Sequence, residues 1–105
     1  MATHREERII YMIKPIYLLQ DLTRALRKLG FEPLMSSEEG LWVLEGASRG
    51  RRVLLKLESH EEVVPGLEVL GEVPVSKLTV EAEGPGEFIK ALRHRLEVEL
   101  LRCLG

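Results

Sequence analysis

Residues 41–58 read LWVLEGASRGRRVLLKLE, and this stretch decides the fold. Leu41–Glu45 is an apolar, β-favouring run, Arg52–Glu58 is rich in branched aliphatics, and Gly46-Ala47-Ser48-Arg49-Gly50 between them supplies turn chemistry. Two such runs joined by a short Gly-containing loop predict an antiparallel hairpin. A hairpin alone is marginal in water, so the flanking sequence has to add strands or a helical layer.

Working toward the N-terminus, Phe31–Met35 reads as a short strand ended by Ser36-Ser37-Glu38-Glu39-Gly40. Pro15–Leu29 reads as a helix, with Leu18, Leu19, Leu22, Ala25, Leu26 and Leu29 recurring at helical spacing. Pro15 suits a first helical turn, Arg27 and Lys28 suit the last one, and Gly30 is a stop signal. Arg8–Lys14 (RIIYMIK) is apolar on both faces, the pattern of a central strand. Residues 1–7 are expected to form a flexible tail.

Working toward the C-terminus, Ser59–Pro65 is polar and acidic and reads as a loop. Leu67–Val73 and Val75–Glu81 follow, either as two strands joined at Pro74 or as one bent strand. Gly84-Pro85-Gly86-Glu87 opens a last helix whose stripe is Phe88, Leu92, Leu96, Leu100 and Cys103. The order β-α-β-β-β-β-α predicts an α+β fold: an antiparallel sheet of four to five strands with two helices on one face.

With 105 residues the chain is expected to be a single domain over 1–105. The apolar fraction of 45% is that of a globular protein and excludes disorder. No segment approaches the roughly 20 apolar residues needed to span a bilayer, and the charged start MATHREER lacks the pattern of a secretory signal. A cytoplasmic protein without membrane partners is expected. Asparagine is absent, Gln20 is the only glutamine, and Glu, Arg and Lys are abundant, a composition expected of a hyperthermophile.

Catalytic and metal-binding patterns are missing from the sequence. His4, His60 and His94 stand in no HExxH or CxxC arrangement, and Cys103 is the single cysteine. Neither Ser36-Ser37 nor Ser48 lies in a nucleophile elbow. Gly84-Pro85-Gly86 is no phosphate loop, because proline removes a donor and Glu83 and Glu87 flank it. The expectation is a binding protein with no catalytic residues, no metal and no cofactor.

The local anomaly is a basic hairpin tip. Arg49, Arg51 and Arg52 fall within four residues, with Trp42 on the strand leading in and Lys56 on the strand leading out. If Trp42 shares a sheet face with Arg52 and Lys56, an aromatic platform sits among cations. Bases stack on such a platform for about 1–3 kcal/mol each while arginines track phosphates. Tyr11, Lys14 and Lys77 would extend the surface. The net charge of −2 confines any such site to a local patch.

The compact α+β chain, its thermophile composition and the basic hairpin beside Trp42 resemble the small archaeal single-stranded DNA-binding proteins called ThermoDBP-related. The resemblance implies a homo-oligomer whose sheet surfaces hold single-stranded DNA between subunits. The element order is also similar to TATA-binding-protein-like and helix-grip folds, which host unrelated functions. Three functions are therefore weighed. Single-stranded nucleic acid, DNA before RNA, comes first. A protein-interaction or assembly subunit comes second, motivated by Ile9–Ile13 and by Leu100, Leu101 and Leu104. A small-molecule-binding domain comes third.

Overall fold

The computed structural model describes residues 1–104, with side chains through Leu101, so the Cys103 side chain lies outside the described residues. The elements are β1 (Ala2–Tyr11), α1 (Pro15–Lys28), β2 (Leu34–Glu38), β3 (Leu41–Ser48), β4 (Arg51–Val63), a 3₁₀ turn (Glu68–Leu70), β5 (Glu72–Gly84) and α2 (Gly86–Leu104). The strands form one antiparallel five-stranded sheet in the order β1-β5-β4-β3-β2. The α+β fold and its element order are those the sequence predicts.

Strand alternation divides the sheet into two faces. Leu44, Val53, Leu55, Leu57, Leu78, Val80 and Ala82 pack beneath Leu18, Leu22 and Leu26 of α1 and Phe88, Leu92 and Leu96 of α2. Each fully buried Leu among them contributes roughly 1.5–3 kcal/mol of transfer free energy. Among the described residues, no helix covers the opposite face.

α1 begins at Pro15, where the missing N–H costs nothing, and ends in a Schellman motif. Gly30 at φ +92° donates to the Arg27 carbonyl, and Phe31 donates to that of Leu26, at 3.0 Å each. The reversal drops Phe31 into the core instead of a strand, and the edge strand starts later, at Leu34. Phe31 lies against Gly46, where an added Cβ would stand 2.9 Å from Phe31 Cδ1. Gly46 therefore belongs to a buried strand and not to a loop.

Other boundaries differ from expectation for identifiable reasons. The stretch 2–7, expected as a tail, pairs along β5 from Ala2↔Gly84 to Glu7↔Thr79. His4, Glu6 and Arg8 point toward the helices and bond one another, and Arg8 reaches Glu97 of α2. This polar seam lets a charged sequence pair as a strand. β1 lies at the edge of the sheet, not its centre: Ile10 turns toward the helices while Ile9 and Tyr11 stay half exposed.

The loop expected over 46–50 shrinks to two residues. Arg49 and Gly50 both have positive φ, +49° and +76°, the pattern of a tight hairpin turn whose twist matches the strands. β5 runs unbroken through Pro74. The Pro74 carbonyl accepts from Met12 N–H at 2.8 Å, so its missing N–H faces the side where β1 has already ended, and no ladder bond is lost. The acidic stretch after Glu58, expected as a loop, continues β4 to Val63.

Candidate interaction surfaces

The two-residue turn fixes the β3–β4 register, and the register separates the expected site. Trp42 stands opposite Leu57 and packs on the helix-covered core, whereas Arg52 and Lys56 project from the open face. The condition that Trp42 share their face is not met. Trp42 also lies six residues from Ser48 along β3, about 20 Å from the basic tip.

The three tip arginines point three ways. Arg49 sits in the turn itself, exposed. Arg51 turns inward, its guanidinium 5.2 Å from the Phe31 ring centroid and 5.5 Å from that of Phe88. It donates to the carbonyls of Ser48 at 3.3 Å and Leu29 at 3.5 Å, tying the hairpin tip to the end of α1. Arg52 is opposite Glu83 on the open face. It lines a hollow of about 390 Å³ together with Glu32, Glu45, Glu81 and Glu83.

Tyr11, Lys56 and Lys77 do share the open face with Arg52, and Lys14 is exposed at the start of α1. Glutamates interleave with them. Arg5, Arg52, Lys56 and Lys77 stand against Glu7, Glu38, Glu45, Glu58, Glu81 and Glu83 on that face. Arg5 reaches Glu7 at 3.1 Å and Glu81 at 3.4 Å, and Lys77 reaches Glu7 at 3.6 Å. Four cations stand among six carboxylates, so the face is of mixed sign and carries no continuous basic track.

Other polar groups are absorbed locally. His4 bonds Glu6 at 3.0 Å and His60 bonds Glu62 at 2.7 Å. Burial works to raise the Glu6 carboxyl, but hydrogen bonds from His4 and Arg8, with the Arg8 charge, outweigh it and hold it below its ordinary value. Ser59 and Ser76 bond each other across β4 and β5. Glu99, fully buried between the helices, accepts from Lys28 at 2.8 Å and Arg24 at 3.2 Å. Among the described residues no three His, Cys, Asp or Glu side chains converge as metal ligands, and no helix is long and apolar enough to cross a membrane.

What remains unsatisfied is apolar. At the C-terminal half of β1 a cleft of about 320 Å³ is lined by Arg8, Ile10, Ile13, Leu18 and Leu100, with Ile9 and Tyr11 at its lip. Met12 and Leu101 are also half exposed or more. Among the described residues, the outer edge of β1 pairs with no strand. Because Met12 N–H turns inward to Pro74, alternation turns the N–H and C=O of Ile9 and Tyr11 outward. The charged half of β1, Thr3–Glu7, is guarded as natural edges usually are, and the Ile9–Tyr11 half is not.

Two further surfaces escape a linear reading. β4 and β5 outrun their neighbours, since β3 begins opposite Glu58 and β1 ends opposite Val75. Beyond those points they pair only with each other, as an arm tipped by exposed Leu67, Val69 and Leu70. The second surface is a cleft of about 600 Å³ between α1 and Met35 of β2. The runs Val63-Val64 and Val69-Leu70 amid glutamates are the sequence signal for the arm. Nothing in one strand's pattern shows that its neighbours stop short. A scan against known protein-family models finds no match to this chain, and a search of curated proteins finds none either.

Proposed function

We propose that this chain is a non-enzymatic protein-interaction module that takes an extended segment of a partner along the open edge of β1. One observation carries the reading: the unpaired Ile9–Tyr11 edge lies beside an apolar cleft with half-exposed Ile9 and Tyr11 at its lip. An added strand would gain main-chain hydrogen bonds from Ile9 and Tyr11, and its alternate side chains would enter the cleft. Selection from a displayed peptide library tests this. Extended, apolar peptides are expected to be enriched, and Ile9→Pro is expected to abolish their binding without unfolding the protein, since the lost N–H points away from β5. Failure to enrich any peptide, or full binding by Ile9→Pro, would refute it.

A second reading, single-stranded nucleic acid, is supported by Tyr11, half exposed on the open face that also carries Lys77 and Lys56. It now rests on Tyr11, with Trp42 turned into the core. Titration with a labelled single-stranded oligonucleotide separates the two readings. Saturable binding that weakens with salt and is lost in Lys56→Ala/Lys77→Ala would favour nucleic acid.

A further inference from the structure

The arm is the least supported part of the fold. Past His60 and Val75 it is a two-stranded ribbon with no helix or third strand over it, and such ribbons are marginal alone. Its tip nevertheless presents Val63, Leu67, Val69 and Leu70 to solvent, Val69 at 94% exposure. Its charge is of one sign: Glu61, Glu62, Glu68 and Glu72 are present, and no Lys or Arg occurs between Lys56 and Lys77.

The cleft between α1 and β2 has the opposite character. Its floor is Ile16, Leu19 and Met35, and its rim is Arg24, Arg27 and Lys28. Arg95 stands beside Arg24 and Lys28 around Glu99. Arg24 pairs with Asp21 and Glu99, and Lys28 and Arg95 pair with Glu99, whereas Arg27 makes no ion pair among the described residues. No arm residue lines the cleft of its own chain. The smaller cleft beside β1 is a poorer match, because its one cation, Arg8, is bonded by Glu6 and Glu97 and it has no counterpart of Arg27.

From this complementarity we infer that the arm of one copy seats in the α1–β2 cleft of a second copy. Val69 and Leu70 cover the Ile16–Leu19–Met35 floor, and the arm's glutamates meet Arg27 and its neighbours. When both copies do this the contact closes as a two-fold pair. The pairing uses a surface distinct from the β1 edge, so it stands or falls separately from the proposed peptide docking.

Sedimentation velocity over a concentration series, at low and moderate salt, tests it. The intact chain is expected to form a two-copy species that dissociates more readily as salt rises. Val69→Asp/Leu70→Asp is expected to weaken self-association about tenfold or more while the circular dichroism melt of the dilute, single-copy protein stays in place. Arg27→Glu is expected to weaken it as well, and an equimolar mixture with Glu61→Lys/Glu72→Lys chains is expected to recover part of the loss. A chain that stays monomeric throughout would overturn the inference. So would a dimer untouched by Val69→Asp/Leu70→Asp, or one lost only in Ile9→Pro, which would place self-association at the β1 edge.

Discussion

β4 begins and ends in turns of opposite character. At its start, Arg49-Gly50 closes a tight hairpin whose next residue, Arg51, is held between two aromatic rings and the end of α1. At its end, the chain runs through exposed Leu67, Val69 and Leu70 before β5 returns. At the basic end, which looks like a ligand site in sequence, Arg51 is engaged in holding the fold together while Arg49 and Arg52 stay exposed. The apolar end, where Leu67–Val73 reads as a strand in sequence but forms a 3₁₀ turn before β5 starts at Glu72, is where apolar groups stand exposed. Residues free to recognise something else are those the fold has left unused, and charge density in a linear segment does not identify them.

The largest expected effect lies at the closed end. Phe31→Ala removes the ring that meets Gly46, Phe88 and Arg51, and is expected to cost about 3–5 kcal/mol in urea unfolding. A loss below about 1 kcal/mol would mean that this end is not packed as described. Arg51→Ala is expected to cost about 1–2 kcal/mol through the ring contacts and the Leu29 carbonyl. A weaker salt dependence of oligonucleotide binding in that variant would instead return Arg51 to the role of a phosphate contact.

A smaller effect is expected along β1. The Glu6 carboxyl sits below its ordinary value because the folded state favours its ionised form. Its contribution is therefore complete above the unfolded value, about 4.3, and is lost as pH falls through the lower folded value. Melting temperatures of the parent and Glu6→Gln are expected to differ at pH 7 and to converge in acid. A constant gap down to pH 2 would show that the seam with His4 and Arg8 is not electrostatic.

The smallest change in stability is expected at the open end. Val69→Asp, in protein dilute enough to be a single copy, should shift unfolding by no more than about 0.5 kcal/mol, as for an exposed surface site. A larger loss would show that the arm tip packs within its own chain.

Much of the fold is legible in the sequence because local signals agree with tertiary ones. Pro15, the Leu18–Leu26 stripe and Gly30 place α1 nearly to the residue, and Gly84–Glu87 places the start of α2. The misplaced elements are those where local chemistry and tertiary pairing disagree. His4, Glu6 and Arg8 look like a charged tail until Glu97 and one another satisfy them. Pro74 looks like a break until its missing donor faces an empty lane. The grouping of Trp42 with Arg52 and Lys56 turns on parity: a two-residue turn sets Trp42 against Leu57, and one residue more or less in the loop would reverse its face. The motive for the interaction reading, the two-faced apolar character of Ile9–Ile13, is visible in sequence. That this strand is an edge is not, because edge position depends on which strand pairs with which.

Amide hydrogen exchange along β1, with and without a library-selected extended peptide, tests the docking edge most directly. In the free protein the amides of Ile10 and Met12 are expected to be protected by β5, and those of Ile9 and Tyr11 to exchange quickly. On adding the peptide, Ile9 and Tyr11 are expected to slow together, with β2 unchanged. Slowing confined to β2 or to the Arg49–Arg52 turn, with Ile9 and Tyr11 still fast, would contradict docking at β1.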